Sequence, residues 1–192
     1  CGGPMSATAS SSHLPALAIA SPEVDVAVAR KLVAGSANVI AVVPIAGQVE
    51  TWPLMLRLTR ALQLAGRDNL AVVRAPAVDA PPAPDQSPPT AGEPCRVVAL
   101  DAGAAICELV MPPALGLAES AANLRRALAH VRGRFSHVLV GFDGYIPDVR
   151  EAIELPDAFV TTARTGFTRE TDLAEMVRRL PPSRHLGTLL VD

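Results

Sequence analysis

Val39-Ile-Ala-Val-Val-Pro-Ile-Ala-Gly-Gln-Val-Glu-Thr-Trp-Pro53 is the stretch on which the fold turns. Its first five residues, Val39–Val43, form a continuous apolar run of the kind found in strands buried on both faces. A short turn carrying Gly47 and Gln48 follows, and a helix is predicted to open with Thr51 as its N-cap and Pro53 in its first turn. A strand, a tight loop and a helix N-terminus in that order gather backbone N–H groups and the positive end of a helix dipole, where phosphates are usually held. The working loop has the pattern G-x-x-x-x-G-K-S/T, its lysine reaching the outer phosphates. Here Glu50 stands in the lysine's place and Val49 in that of the glycine before it. At ~4 Å, a carboxylate and a phosphate oxygen repel by about 4 kcal/mol at an effective dielectric near 20. The stretch predicts a nucleotide-binding architecture that has lost its usual means of binding nucleotide.

Working outward, strands and helices alternate. A helix starting at Ser21-Pro22-Glu23 and stopping at Gly35 precedes the strand. The helix after Thr51 carries Leu54, Leu58, Ala61, Leu62 and Ala65 on one face and ends at Gly66. Further strands are expected at Leu70–Val73, Arg96–Leu100, His137–Val140, Ala158–Thr162 and Leu186–Val191. The intervening helices fall near Leu117–Val131, Pro147–Glu154 and Thr168–Leu180. This spacing predicts an α/β three-layer sandwich, a mainly parallel central sheet covered by helices on both faces. Residues 1–20 read as a flexible lead-in, residues 21–192 as one domain, and the proline-rich stretch 75–94 as a mobile loop within it.

Composition narrows the function classes. Hydrophobic residues make up 49% and charged residues 19% of the 192, which suits a folded chain with a sizeable core. Aromatics are only 3%, so that core must be built from Val, Leu, Ile and Ala. A net charge of -2 gives no reason to expect nucleic acid or an anionic membrane surface. No apolar run approaches the ~18 residues of a spanning helix, so direct membrane insertion is not expected. Cys1, Cys95 and Cys107 have no metal-binding spacing and fit free thiols in a reducing compartment. Cys1-Gly-Gly-Pro-Met5 reads as an added leader before a native start at Met5; its rival is a mature lipoprotein beginning at a lipidated cysteine.

The order of elements resembles the P-loop ATPases of the MinD/ParA type, and most closely the cytosolic bacterial tyrosine kinase (BY-kinase) domain. Asn38–Ala65 looks like that family's first strand, Walker A loop and following helix. Arg134–Val140 looks like the strand that ends in the Walker B aspartate, and Leu155–Thr168 like the segment in which an Asp precedes a strand and a Thr opens the next helix. The resemblance implies a P-loop fold and a role with the polysaccharide co-polymerases of capsule and exopolysaccharide export.

The departures from the family pattern fall on its chemistry. Of the loop, only Thr51, the magnesium-holding position, is retained. Val73-Arg74-Ala75-Pro76 offers no aspartate after the second strand, and Gly141 stands where the Walker B aspartate is expected. Asp143 lies two positions further on, and Tyr145 is the sole tyrosine where the family has a cluster. These losses imply an inactive kinase-like module without cofactor, cytoplasmic and recruited to the inner membrane by a partner. That partner would be a membrane co-polymerase, a paralogous kinase or a second copy of the chain. Two alternatives stay open: an active nucleotide-dependent enzyme with a rearranged site at Thr51 and Asp143, and a MinD/ParA-like positioning or secretion accessory protein.

The remaining candidates each have a plainer reading. Glu50 can favour the helix dipole, and Asp143-Gly144 is a common turn pair. Asp79 and Asp101 lie near strand ends as solvated or capping carboxylates. His13, His130, His137 and His185 lack zinc-type spacing. Cys107 reads as a buried thiol, and the serine-rich residues 9–12 lack the glycines of a nucleophile elbow. Arg125, Arg126, Arg132 and Arg134 gather at a helix end, as a solvated face or as a patch for an acidic partner. Trp52 either fills part of the old pocket or stands exposed for a partner.

Overall fold

The computed structural model describes residues 22–45, 50–74, 95–101, 103–109, 117–141 and 154–191. Several expectations lie outside them: the lead-in 1–20 with Cys1, its serine-rich residues 9–12 and His13, the loop residues Gly47, Gln48 and Val49, the proline-rich stretch with Asp79, the helix near Pro147, and Asp143–Tyr145. The described elements are α1 (Pro22–Leu32), β1 (Val39–Pro44), α2 (Thr51–Leu64), β2 (Leu70–Arg74), β3 (Cys95–Asp101), β4 (Ala104–Leu109), α3 (Leu117–Arg132), β5 (His137–Gly141), β6 (Ala158–Arg164), α4 (Glu170–Arg179) and β7 (His185–Val191).

The strands form one sheet in the order β3-β4-β2-β5-β1-β6-β7. All neighbours are parallel except β3 and β4. The expected α/β sandwich with a mainly parallel sheet is therefore borne out. β1 lies between β5 and β6, pairing Val39 with Val138 and Ile40 with Ala158. Every residue of β1 is buried, as its unbroken apolar run demands.

The period of two along the strands splits the core into two layers. Val39, Ala41, Val43, Val138, Val140 and Phe159 pack with Leu124, Leu128 and Val131 of α3. Ile40, Val42, Val72, Leu139 and Val160 pack on the other face with Leu32, Leu54, Met55, Leu58 and Leu62 of α1 and α2. The two helices of that layer are tied by a two-pronged ion pair: Arg57 Nη2 stands 2.7 Å from Asp25 Oδ1, and Arg57 Nε donates to Asp25 Oδ2. Its side chains are about a quarter exposed, 24% and 23%, so the pair is shielded enough to fix how α1 lies on α2.

α2 closes as its sequence predicts. Gly66 takes φ 79°, a left-handed conformation that favours glycine. The Gly66 N–H then reaches Gln63 O, and the Arg67 N–H reaches Leu62 O. These two bonds cap the last carbonyls of the helix.

Three expectations need correction. β4 went unread, because Ala104-Ala105 has little strand propensity and follows Gly103. It forms nonetheless, since β2 offers it a parallel neighbour buried from Leu70 to Val73 and a two-residue connection returns it against β3. As a result, β3 is an antiparallel edge strand rather than a further step of the parallel alternation. At the start of α2, Glu50 is the N-cap and Thr51 the first helical residue. Finally, Thr168 does not open α4: its hydroxyl accepts the Arg164 N–H at 2.8 Å, closing the turn after β6, and the helix begins at Glu170.

At the N-terminal edge of the parallel strands, Asp157 accepts the N–H groups of Asn38 (3.0 Å) and Val39 (2.8 Å). Its other oxygen pairs with Arg132 at 2.8 Å, and Arg132 also donates to Leu155 O. One carboxylate thus joins the start of β1, the entry to β6 and the end of α3. His137 sits at the same edge, where burial, and secondarily the charge of Arg67, hold its imidazole below the usual pKa of 6.5. A depressed histidine pKa means that the folded state favours the neutral ring, so its contribution is complete above pH 6.5 and is lost as pH falls through the folded value. The melting temperature should fall as pH drops below about 6.5, and His137→Asn should flatten that slope. Parallel pH-melting curves for the two proteins check this.

Candidate functional site

The C-terminal ends of β2, β5, β1 and β6 share one edge of the sheet. Register places Gly141 of β5 beside Val42 of β1 and Arg74 of β2, and Pro44 beside Thr162 of β6. In open sheets of this type, ligands bind outside such strand ends, at the point where connections diverge. Here the connection from β1 runs through α2 towards β2, while β6 leads to β7 on the opposite side of β1. α2 opens directly over this edge.

Thr51, the first residue of α2, is fully buried. A Cβ built on Gly141 would lie 3.0 Å from the Thr51 hydroxyl, 2.8 Å from the Met55 sulfur and 2.4 Å from the Met55 methyl. The structure therefore brings together two of the positions singled out in the sequence, Thr51 and Gly141. It adds Met55, one helical turn beyond Thr51, which periodicity alone would call a core residue. Glu50 is exposed, and its side chain makes no capping hydrogen bond, so the carboxylate sits at the positive end of α2 without binding a helix N–H. Trp52 is half-buried against the α1–α2 core layer, a packing role rather than full exposure to a partner. Thr162 gives its carbonyl to the Ile45 N–H at 2.9 Å, while its buried hydroxyl meets no hydrogen-bond partner among the described residues.

No protein-family model and no curated protein matches this sequence. Solved structures do. The BceF tyrosine kinase domain superposes with a TM-score of 0.61 at 14% identity, over 88% of this chain and 74% of its own. The VpsO kinase domain gives 0.61 at 16% identity, over 88% and 94%. The chimerical protein CapA2B2 gives 0.68 at 10% identity, over 88% and 83%. The fold is the one these kinase domains have.

That fold implies a divalent cation held between the helix-opening threonine and a carboxylate at the neighbouring strand end. Thr51 is present, but the described residues around it do not fit the ion. Gly141 supplies no oxygen from a side chain, and a carboxylate there would need space occupied by the methyl and sulfur of Met55. A thioether is a poor ligand for a hard cation. Among the described residues, no three His, Cys, Asp or Glu side chains gather in a metal-binding group.

The other singled-out residues lie away from this edge. Because β3 runs antiparallel, Asp101 at its C-terminus is at the opposite end of the sheet. Its carboxylate accepts the Gly103 N–H at 3.0 Å and the Gln63 amide, which in that order hold its pKa down. Cys95 and Cys107 are buried on the β3–β4 pair; the hydrogen bond between their thiols, then burial, keeps Cys107 far above the usual thiol range and therefore protonated. His185 and the Thr188 hydroxyl both meet the buried Thr161 hydroxyl, at 3.2 and 2.8 Å. On α3, Arg126 bonds Asn123, Arg132 pairs with Asp157, and Arg134 following the helix meets His130. No helix among the described residues is long and apolar enough to cross a membrane.

Proposed function

We propose that this chain is a catalytically inactive kinase-fold module of the BY-kinase type, which acts through protein contacts in exopolysaccharide synthesis and export. The observation that carries the reading is the sign of the charge where α2 begins. A P-loop kinase presents a lysine there to a triphosphate; this chain presents Glu50 at the N-cap, exposed and without a cation bound to it by any described hydrogen bond. Among the described residues the strand ends add no carboxylate for a metal ion, since β5 finishes in Gly141 and β2 in Arg74.

A protein that keeps the fold and loses the phosphate site retains surfaces whose engagement no longer depends on nucleotide. By resemblance, its partners are the cytoplasmic part of a membrane polysaccharide co-polymerase, a paralogous kinase or a second copy of the chain. Its place is the cytoplasm, at the inner membrane through that partner.

Calorimetry with ATP and ADP, with and without magnesium, tests the reading on the wild type and on Glu50→Lys. Neither protein should give detectable heat at millimolar nucleotide, because restoring one charge supplies neither the loop glycine at Val49 nor a carboxylate at Gly141. Tight magnesium-dependent ATP binding by either protein would overturn it. It would also bring forward an active enzyme built on Thr51 and Asp143.

A further inference from the structure

We infer that Met55 and Gly141 form an internal plug which takes the cation's place at the start of α2 and holds α2 against β5 in a single, ligand-independent position. This rests on the inactive-module reading and names what fixes its state. Met55 is fully buried, and its side chain lies where any substituent on Gly141 would have to go. Gly141 is not among the described residues with positive φ, so its backbone does not require glycine. What favours glycine is the space taken by the end of the Met55 side chain.

The plug also accounts for Thr51. Its hydroxyl is buried against the same strand end. Here a flexible, polarizable side chain fills the gap between the helix and the strand end. Packing, rather than phosphate and metal, then sets the position of α2.

A double-substitution cycle read by thermal melting tests the contact. In the wild-type background, Gly141→Ala should lower the melting temperature by about 3–10 °C, because the added carbon forces a buried side chain out of a filled space. In a Met55→Ala background, the same change should cost less than half as much, since only the Thr51 hydroxyl at 3.0 Å still crowds the added carbon. Equal losses in both backgrounds would overturn the plug.

The second measurement uses the native protein labelled at its methionine methyl groups, four in the sequence, with Met55 assigned through Met55→Leu. Millimolar manganese with ADP should leave the Met55 signal sharp. Selective broadening of that signal, abolished by Thr51→Val, would place a cation at the site and overturn the plug. The two readings fail separately. Calorimetric binding of ADP alone, with the Met55 signal sharp and the cycle coupled, would overturn the inactive-module reading and uphold the plug. Calorimetric silence with an uncoupled cycle would overturn the plug and leave that reading standing.

Discussion

Phe159→Ala should cost this protein about 3–5 kcal/mol, a large share of the roughly 5–15 kcal/mol that holds a domain folded. Phe159 is 1% exposed and is the largest fully buried side chain described. Around it the α3-side layer is built from Val, Ala, Leu and Cys, with Leu180 and Met176 closing the α4 end. Short, branched side chains cannot extend to refill an aromatic-sized void, so most of the cavity would persist. The expected fall in melting temperature is roughly 6–20 °C, at about 2–4 °C per kcal/mol for a chain of this size. Phe159→Leu, which keeps most of the volume, should lose less than half as much. Equal losses for the two substitutions would show that the site collapses freely, contrary to this packing.

Asp157→Ala should be the next most damaging change, at about 2–3 kcal/mol. It strips the acceptor from the Asn38 and Val39 N–H groups and the partner from Arg132. The ion pair itself contributes little of this, because its side chains are 37% and 45% exposed and water screens them. Most of the loss comes from the Val39 N–H, which lies partly buried at the head of the central strand and would have no acceptor. Asp157→Asn keeps one carbonyl oxygen facing that N–H and should recover about half the loss. Urea denaturation separates the cases through the midpoint, with the slope unchanged if the native and unfolded states keep their extent. A wild-type midpoint for Asp157→Ala would show that this carboxylate does not hold the strand.

The architecture was legible where hydrophobic pattern and chain punctuation agree. Val39–Val43 is apolar without interruption, and Gly66 follows a helical stripe, so both elements fall where the sequence puts them. β4 was not legible, because Ala104-Ala105-Ile106-Cys107 carries no alternation and its strand character comes from β2. At the site, the sequence displayed the losses, Glu50 and Gly141, as departures from a pattern. It did not display the replacement. Met55 looks like any apolar helical residue; only the three-dimensional approach of α2 to the end of β5 shows that it excludes a side chain at 141. Tertiary proximity of this kind has no local signature.

The position of β1 in the sheet also governs how the chain can be made. Its two neighbours, β5 and β6, lie far along the sequence: the backbone of Val39 is bound by Asp157, 118 residues later. At a synthesis rate of roughly 5–20 residues per second, about 6–24 s pass between the emergence of the central strand and that of its final partner. For most of that interval, until β5 emerges, a wholly apolar strand has neither edge paired. The emergence of β6, rather than local helix formation, therefore sets when the centre of the sheet can close.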